Sequence, residues 1–368
     1  NKMIRDFAVN EVKPLAHEVD EQERFPYETV EKMAKLGLMG IIVPKEYGGM
    51  GGDYKMYIKA VEELSKVCAT TGVILSAHTS LCIAPIMEYG NEEQKKKYLP
   101  KLASGEWLGA FGLTEPNAGT DANNQTTTAV KEGDHWVLNG SKIFITNAGP
   151  ANVYFVIAVT GRNPKGVECA AFIVEKGFPG FSVGKKELKM GIRGSSTCEL
   201  IFENCIVPEA NLVGKIGEGV KMALKTLDGG RVGISAQALG IAEGALEATV
   251  AYVKERKQFN KPISAFQNTQ FCLADLYTKI NAASLLVERA TEAKQNKSPM
   301  LGMYAAQAKL FAAETAMEVT TKCVQLHGGY GYTREYPVER MMRDAKITEI
   351  YEGTSEVQRM VISGALLK

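Results

Sequence analysis

The sequence predicts a mainly helical α+β protein in which a helical region, a β region and a second helical region follow one another. Apolar residues recur at helical spacing up to residue 106, short alternating runs fill 107–213, and helical spacing returns over 214–368. Strands and helices do not alternate, which argues against a βαβ fold. Because 368 residues suit two or three domains, we expect an N-terminal helical domain at 1–106, a central β domain at 107–213 and a C-terminal helical bundle at 214–368.

The first region is expected to contain four or five helices. Val30, Met33, Ala34 and Leu38 follow Pro26 at positions that share one helical face, and a similar run follows the glycine-rich stretch 48–52. Residues 4–19 already have the helical period. We therefore expect further residues to precede the first one.

The second region is expected to form strands at 153–159, 170–174 and 199–206. In the same region, residues 135–138 and 142–146 flank Asn139-Gly140-Ser141. An Asn-Gly pair between apolar runs is a strong signal for a β-hairpin. We therefore expect a hairpin turn at Asn139-Gly140.

The third region is expected to form long amphipathic helices. Ile234, Ala238 and Ile241 lie three or four residues apart on one helical face. Further helices are predicted at 266–295, 300–325, 338–345 and 355–367. Ser355 and Gln358 match a capping box, which places the start of the last helix at Ser355.

Composition excludes several classes of function. Lys and Arg exceed Asp and Glu by 43 − 42 = +1, which supplies no overall field for gathering nucleic acid or an anionic membrane. No apolar run approaches the roughly 18 residues of a membrane-spanning helix, so we expect a soluble, unsecreted protein. The 7 cysteines form no C-x-x-C pair and the 4 histidines are scattered, so neither a metal site nor a Ser-His-Asp triad is indicated.

Three segments have the chemistry of a binding site. Residues 111–121 offer hydroxyls and backbone N–H groups to a polar ring or a phosphate, and the glycines of 325–332 let the backbone approach a ligand. Each could equally be an ordinary turn or a helix end. In the third segment, 350–358, Glu352 could be a helix-dipole partner, or a general base if apolar surroundings raise its pKa.

Taken together, motifs along the whole chain resemble the acyl-CoA dehydrogenase family, and most closely its short-chain, butyryl-CoA branch. The motifs are PKEYGG (44–49), LTEPNAGTD (113–121), KIFITN (142–147), LDGGR (227–231), ERKQF (255–259), QLHGGYGY (325–332), and RDAK (343–346) with IYEGTS (350–355). The resemblance implies an N-terminal helical domain, a central β domain and a C-terminal four-helix bundle. It also implies a homotetramer that binds FAD between subunits.

The resemblance implies FAD-dependent α,β-dehydrogenation of a short-chain acyl-CoA, from butyryl-CoA to crotonyl-CoA or the reverse. Glu352 matches the base that removes the α-proton, while a hydride passes to flavin N5. An electron-transferring flavoprotein is the implied electron partner. The alternatives are a branched short-chain acyl-CoA dehydrogenase or an acyl-CoA oxidase-like enzyme and, more remotely, a helical binding protein without activity.

The resemblance also assigns residues to the cofactor and the substrate. Those matching the flavin-binding positions are Phe111, Leu113, Thr114, Thr120, Phe144, Ile145, Thr146, Thr354 and Glu356. Those matching the stretch that one subunit lends to its neighbour's FAD are Arg256, Gln258, Phe259, Gln267, Gln325, Gly328 and Gly329. Those matching the acyl-CoA site are Thr120, Asp228, Arg231 and Gly353. Phe144 departs from the Trp of several members, but it still offers an aromatic face.

One position separates branches of the family. Some relatives place the base on the helix that carries 227–231, at a position that is Gly230 here, so Glu352 is the only candidate base. Ile83 and Met87 are expected to form the floor of the acyl pocket. The absence of a targeting segment favours the bacterial cytoplasm over the mitochondrial matrix.

Overall fold

The computed structural model describes residues 2–164 and 166–367, without the side chain of Asn163. Asn1 and Lys368, the outer limits of the predicted domains, lie outside the described residues. The chain forms a helical region, then a sheet, then a second helical region. This order confirms the predicted α+β class.

Seven α-helices are described in the first region, within residues 2–106. They are α1 (Lys2–Phe7), α2 (Ala16–Glu21), α3 (Tyr27–Lys35), α4 (Tyr54–Val67), α5 (Ala69–Ser76), α6 (Ala84–Tyr89) and α7 (Glu92–Ala103). A π-helical turn and a 3-10 turn join α1 to α2, and the π-helical turn Ala77–Ile83 joins α5 to α6. Within residues 2–106, the α-helices therefore lie in five continuous segments, which agrees with the predicted four or five.

The segment Ala69–Tyr89 corrects one expectation from the sequence. Alone in the described part of the chain, it has the length and composition of a membrane-crossing helix, with a mean hydropathy of 1.4. Of its most apolar window, 89% is buried inside the protein. The expectation that no apolar run approaches the length of a membrane-spanning helix was therefore wrong. The burial of this segment shows that it is a core helix of its domain.

The second region is built around one mixed sheet. Its strands are β1 (Gly109–Gly112), β2 (Thr128–Glu132), β3 (His135–Ile145), β4 (Val153–Asn163), β5 (Gly166–Glu175), β6 (Phe181–Lys186), β7 (Cys198–Pro208) and β8 (Leu212–Val213). The order is β6-β7-β3-β2-β4-β5-β8, with β1 parallel to β4. Phe155 and Ile157 of β4 face a core shared with the first region, while Tyr154 and Val156 face the opposite core.

The predicted hairpin at Asn139-Gly140 is wrong. Strand β3 continues through both residues, and the hairpin turn is Gly133-Asp134, where Glu132 pairs with His135. Because β3 is paired with β2 on one side and β7 on the other, these ladders override the local turn preference. The Asn-Gly pair instead forms a β-bulge, with Gly140 at φ +137° against the backbone of Thr127.

The third region consists mainly of long helices. They are α8 (Gly219–Glu255), α9 (Gln267–Gln295), α10 (Leu301–His327), α11 (Val338–Ile347) and α12 (Ser355–Leu366), with a small ribbon of β9 (Lys257–Gln258) and β10 (Lys261–Pro262) after α8. Helix α12 begins at the predicted residue, but its cap is Thr354, whose hydroxyl accepts from the N–H of Val357 at 3.3 Å. The predicted Ser355–Gln358 capping box is therefore wrong by one residue.

Close backbone contacts hold α4 of the first region against α8. A Cβ on Gly240 would lie 2.3 Å from the carbonyl oxygen of Glu62, and one on Gly244 would lie 2.0 Å from that of Lys66. Only glycine permits this approach. The contact fixes the first region against the segment of α8 that borders the candidate site.

Candidate active site

The connection between α11 and α12 has an unusual backbone. Glu352 and Gly353 are consecutive residues in the left-handed region, at φ 55° and 94°. A non-glycine residue rarely adopts this conformation unless the surroundings impose it. Here the Tyr351 hydroxyl donates to the side-chain oxygen of Gln237, and the N–H of Ser355 donates to the carbonyl of Glu349 at 2.9 Å.

The carboxyl group of Glu352 lies against α8 at a glycine. A Cβ on Gly230 would be 2.0 Å from Oε2 of Glu352 and 2.9 Å from a methyl of Leu81. The Oε2 atom is buried and has no hydrogen-bond partner within residues 2–164 and 166–367. A buried acceptor without a donor is costly, which makes it a mark of function.

The electrostatic environment raises the pKa of Glu352 to about 7. Burial is the larger cause, since it disfavours the charged form, and the positive charges of Lys309 and Arg231 partly oppose it. A carboxyl group with such a pKa exchanges protons near neutral pH. It can therefore serve as a general base.

Three of the four predicted substrate residues lie beside Glu352. Arg231 is nearly buried, donates to Asp228 at 2.8 Å, and donates to the carbonyl oxygen of Glu352 at 3.4 Å. Gly353 is the next residue along the chain. The fourth, Thr120, is exposed on the loop between β1 and β2.

Two residues hold the turn at Gly353, of which the sequence did not single out Lys309 and gave Gln358 only as part of a capping box. Nζ of Lys309 donates to the carbonyl oxygen of Gly353 at 2.7 Å, and the Gln358 amide donates to the same oxygen at 2.8 Å. Lys309 is fully buried on α10. Its neighbours on that helical face, at three and four residues either way, are the buried alanines Ala305, Ala306, Ala312 and Ala313. A lysine among alanines on one helical face is the sequence pattern from which the burial of Lys309 could have been predicted.

The predicted flavin loop is anchored by a buried ion pair. Lys142 is fully buried, and its Nζ donates to Glu115 at 2.7 Å, to Gln125 at 2.9 Å and to the carbonyl of Leu113 at 3.1 Å. Burial opposes ionisation of Glu115, but the Lys142 charge and nearby donors hold its pKa below the usual range. Glu115 and Lys142 lie within motifs found in the sequence, although neither was assigned a role.

The loop lies beside the segment that contains Phe144. The N–H of Ile143 donates to the carbonyl oxygen of Thr114 at 2.8 Å, which joins the loop to β3. A register shift in β3 places Phe144 at φ 57° with 61% of its surface exposed, while Ile145 is buried. Thr146 is half-buried, as is Thr114. Phe111 and Leu113 are buried at the end of β1 and just after it.

A second group of predicted residues lies at the other end of the bundle. A recess of about 550 Å³ is lined by Arg256, Gln258, Gln325, Gly328 and Gly329 together with Tyr252, Ile263, Leu326, His327, Tyr330 and Thr333. A Cβ on Gly328 or Gly329 would meet nothing within 4 Å, so their backbone borders open space. Phe259 and Gln267 are exposed and do not line the recess.

The two groups are far apart on one chain. Lys309, which contacts Gly353, and His327, which lines the recess, both lie on α10, where His327 is the last residue. The rise of 1.5 Å per residue separates these positions by about 27 Å along the helix. Thr354 and Glu356 belong to the Glu352 group, with Glu356 exposed in the first turn of α12.

The fold and the buried carboxyl group define a helix–sheet–helix protein with a candidate general base, and comparisons with known proteins give the family. Models of the N-terminal, middle and C-terminal domains of acyl-CoA dehydrogenase match residues 1–106, 110–205 and 217–367. The chain belongs to the acyl-CoA dehydrogenase family. The resemblance found in the sequence is thereby confirmed, and the protein is a flavoprotein oxidoreductase.

Individual relatives match over the whole chain. A short-chain specific acyl-CoA dehydrogenase of Clostridium acetobutylicum is 62% identical, covering 100% of this chain and 97% of the relative. The solved butyryl-CoA dehydrogenase of Megasphaera elsdenii is 51% identical with a TM-score of 0.97, covering 100% and 97%. A chain solved in work on the electron transferring flavoprotein of Acidaminococcus fermentans is 55% identical with a TM-score of 0.97, covering 100% and 96%.

A more distant relative was solved with a cofactor. The acyl-CoA dehydrogenase of Bacillus anthracis complexed with FAD is 37% identical, with a TM-score of 0.93. The match covers 100% of this chain and 65% of that one.

Proposed function

We propose that the protein dehydrogenates a short-chain acyl-CoA, converting butyryl-CoA to crotonyl-CoA or the reverse, with FAD as cofactor and Glu352 as the base for the α-proton. The Glu352 carboxyl group carries this proposal. Its Oε2 is buried and unpartnered within the described residues, and its pKa is raised to about 7. The names of the relatives from C. acetobutylicum and M. elsdenii support the short chain length.

The residues present fit FAD. The recess offers the Arg256 guanidinium, the Gln325 amide and open glycine backbone, a donor set that suits a pyrophosphate. The anchored loop at 113–121 and the exposed ring of Phe144 offer hydroxyls, N–H groups and an aromatic face to a flavin ring. When bound, FAD supplies the acceptor for the β-hydrogen of the substrate, which leaves as hydride.

The backbone N–H group of Glu352 has a role distinct from that of its side chain. Within the described residues, its N–H group donates to no acceptor, although the neighbouring N–H groups of Tyr351 and Ser355 do. It is therefore free to donate to the thioester carbonyl oxygen. Negative charge develops on that oxygen as the α-proton leaves, and a fixed donor stabilises it. The side chain and backbone of one residue thus act on adjacent atoms of the substrate.

The distance between the two groups supports an assembly in which each cofactor contacts two subunits. The recess is about 27 Å along α10 from the turn at Gly353, so one chain offers the residues of the recess and those around Glu352 at separate places. We propose a homotetramer in which Arg256, Gln258, Phe259, Gln267, Gln325, Gly328 and Gly329 serve a neighbour's FAD. An electron-transferring flavoprotein is the proposed electron partner, in line with the A. fermentans match, and the proposed compartment is the bacterial cytoplasm.

The test is an anaerobic spectral titration. The FAD-loaded protein should lose its flavin absorption most completely with butyryl-CoA, and less with longer or branched acyl-CoAs. Glu352→Gln should keep FAD and still bind butyryl-CoA, but bleach at least about 100-fold more slowly, since general base catalysis contributes about 10²- to 10⁴-fold. The matched control is Glu318→Gln, which should bleach normally. Glu318 is an exposed residue of α10 whose carboxylate is paired with Lys279 on α9. Bleaching at the normal rate by Glu352→Gln would reject Glu352 as the base.

A further inference from the structure

We propose that Lys309 is a positioning residue for the base, which fixes the turn at Gly353 and supplies a positive charge that favours the ionised carboxyl of Glu352. The inference rests on the proposed role of Glu352. It concerns a residue that neither touches the reacting atoms nor belongs to the motifs found in the sequence.

The first observation is the burial of Lys309 without a carboxylate partner. Its side chain is fully buried, and Nζ donates to the carbonyl oxygen of Gly353 at 2.7 Å. Within the described part of the chain it forms no ion pair. Burial of an ammonium group is costly unless it is well paired, and a methionine would fill the space among the alanines of α10 without that cost. Fold stability alone therefore does not explain the lysine.

The second observation is the set of charges around the turn. The titratable groups that interact with Glu352 or Lys309 are Arg231 on α8, Tyr54 and Tyr57 on α4, Tyr351 and Glu349 on the connection, and Glu356 on α12. The cations of this set are Arg231 and Lys309. Arg231 is paired with Asp228 at 2.8 Å. Lys309 is therefore the cation whose charge is not already matched by a neighbouring carboxylate.

The protonation state of Lys309 suits this role. Burial lowers its pKa to about 8, against the opposing effect of Glu352. Lys309 therefore remains mostly protonated at the pH at which Glu352 ionises. Among the charges that lower the pKa of Glu352, that of Lys309 is the larger and that of Arg231 the smaller.

A second donor to the carbonyl of Gly353 is neutral, which allows the effect of fixing the turn to be measured separately from the effect of the Lys309 charge. The Gln358 amide donates to the same carbonyl of Gly353, at 2.8 Å. Gln358→Leu removes one donor from this oxygen and no charge. Lys309→Met removes one donor and one charge. Lys309→Gln keeps a donor and removes the charge, and it provides a second variant if the methionine disturbs folding.

The experiment compares these variants by pH. The first readout is the pH dependence of kcat with butyryl-CoA. The second is the infrared titration of the Glu352 carboxyl group without substrate, with Glu352→Gln as the blank. Lys309→Met and Lys309→Gln should raise the Glu352 pKa by about 1 unit or more, because an unlike charge nearby shifts a pKa by about 1 to 3 units. The acid limb of kcat should move by the same amount, so that kcat at pH 6 falls about 10-fold.

Gln358→Leu should lower kcat equally at all pH values and leave the acid limb in place. An unshifted carboxyl titration in both Lys309 variants would overturn the proposal. Such a result is distinct from failure of the proposed function, which would appear as normal turnover in Glu352→Gln. If Glu352→Gln is inactive and the Lys309 variants do not shift the titration, only the assignment of Lys309 fails.

Discussion

The Glu352 end of helices α8 and α10 is enclosed and internally bonded, whereas the Arg256 end of the same helices is open to solvent. At the enclosed end, Arg231, Lys309 and Gln358 all donate to the backbone of Glu352 or Gly353. At the open end, Arg256 and Gln258 are exposed beside a recess, and Arg256 lies 5.3 Å from the ring centre of Tyr330. The two ends share helices but differ in solvent access.

The difference has a chemical consequence. An enclosed group has its pKa set by the chain itself, because water cannot screen its neighbours. An exposed cation keeps its charge available to an anionic ligand and costs little before that ligand arrives. One end is therefore suited to proton transfer, and the other to contact with a molecule or subunit that covers it.

The largest expected effect is at Gly230, where the enclosed end has no spare room. The Cβ of Gly230→Ala would lie 2.0 Å from Oε2 of Glu352, so the carboxyl group must move. A misplacement of about 1 Å can lower turnover about 100-fold, and we expect at least that loss in kcat. Gly229→Ala is the control, because its Cβ would meet its nearest neighbours at 3.4 Å and 3.5 Å, in ordinary contact. Equal activity of the two variants would show that the site has more room than the structure indicates.

The second effect is on stability, and it tests whether the enclosed carboxyl group is costly. The pKa of Glu352 is raised from 4.5 to about 7 in the folded protein. Its contribution to the free energy of unfolding is therefore fully present below pH 4.5 and is lost as the pH rises through 7. At about 1.4 kcal/mol per pKa unit, the loss of stability is about 3 to 4 kcal/mol. Glu352→Gln should therefore unfold at a higher temperature than the wild type at pH 8, and at a similar temperature at pH 4.5.

The control for this measurement is Glu356→Gln, four residues further on. Glu356 is exposed, and its pKa is lowered by hydrogen bonds at the start of α12. It should show no gain in melting temperature at pH 8. A melting temperature of Glu352→Gln that tracks the wild type across this pH range would mean that the carboxyl group is solvated.

The smallest effect is expected at the open end. Arg256→Gln should weaken FAD binding about 10-fold, since a hydrogen bond to a charged group contributes about 1.5 to 3 kcal/mol, and leave the melting temperature of the FAD-free protein unchanged. The measurement is a titration of FAD fluorescence. Lys257→Gln, the exposed neighbouring cation on β9, is the control. Equal FAD affinity in both variants would show that the recess does not hold the pyrophosphate.

The long helices were predictable because their pattern is repeated many times. The expected helix at 266–295 is observed as Gln267–Gln295, and that at 300–325 as Leu301–His327. Each contains enough turns for the apolar period to dominate local exceptions. The Asn139-Gly140 hairpin failed for the opposite reason. A turn signal spans two residues, and the pairing of β3 with β2 and β7 outweighs it.

The site was predictable only in part. Glu352, Asp228 and Arg231 come from motifs, and the structure brings them together. Lys309 and Lys142 were not assigned roles, because the burial of a lysine depends on contacts with residues distant in sequence. Lys142 meets Glu115 from 27 positions away, and Lys309 meets Gly353 from 44. Only the alanine neighbours of Lys309 indicated its burial in advance.

The contact between Gly230 and Glu352 also constrains how such a site can evolve. Because the carboxyl oxygen occupies the volume in which a Cβ at position 230 would stand, no side chain can be added at position 230 unless residue 352 moves or becomes smaller, so the two positions cannot change independently.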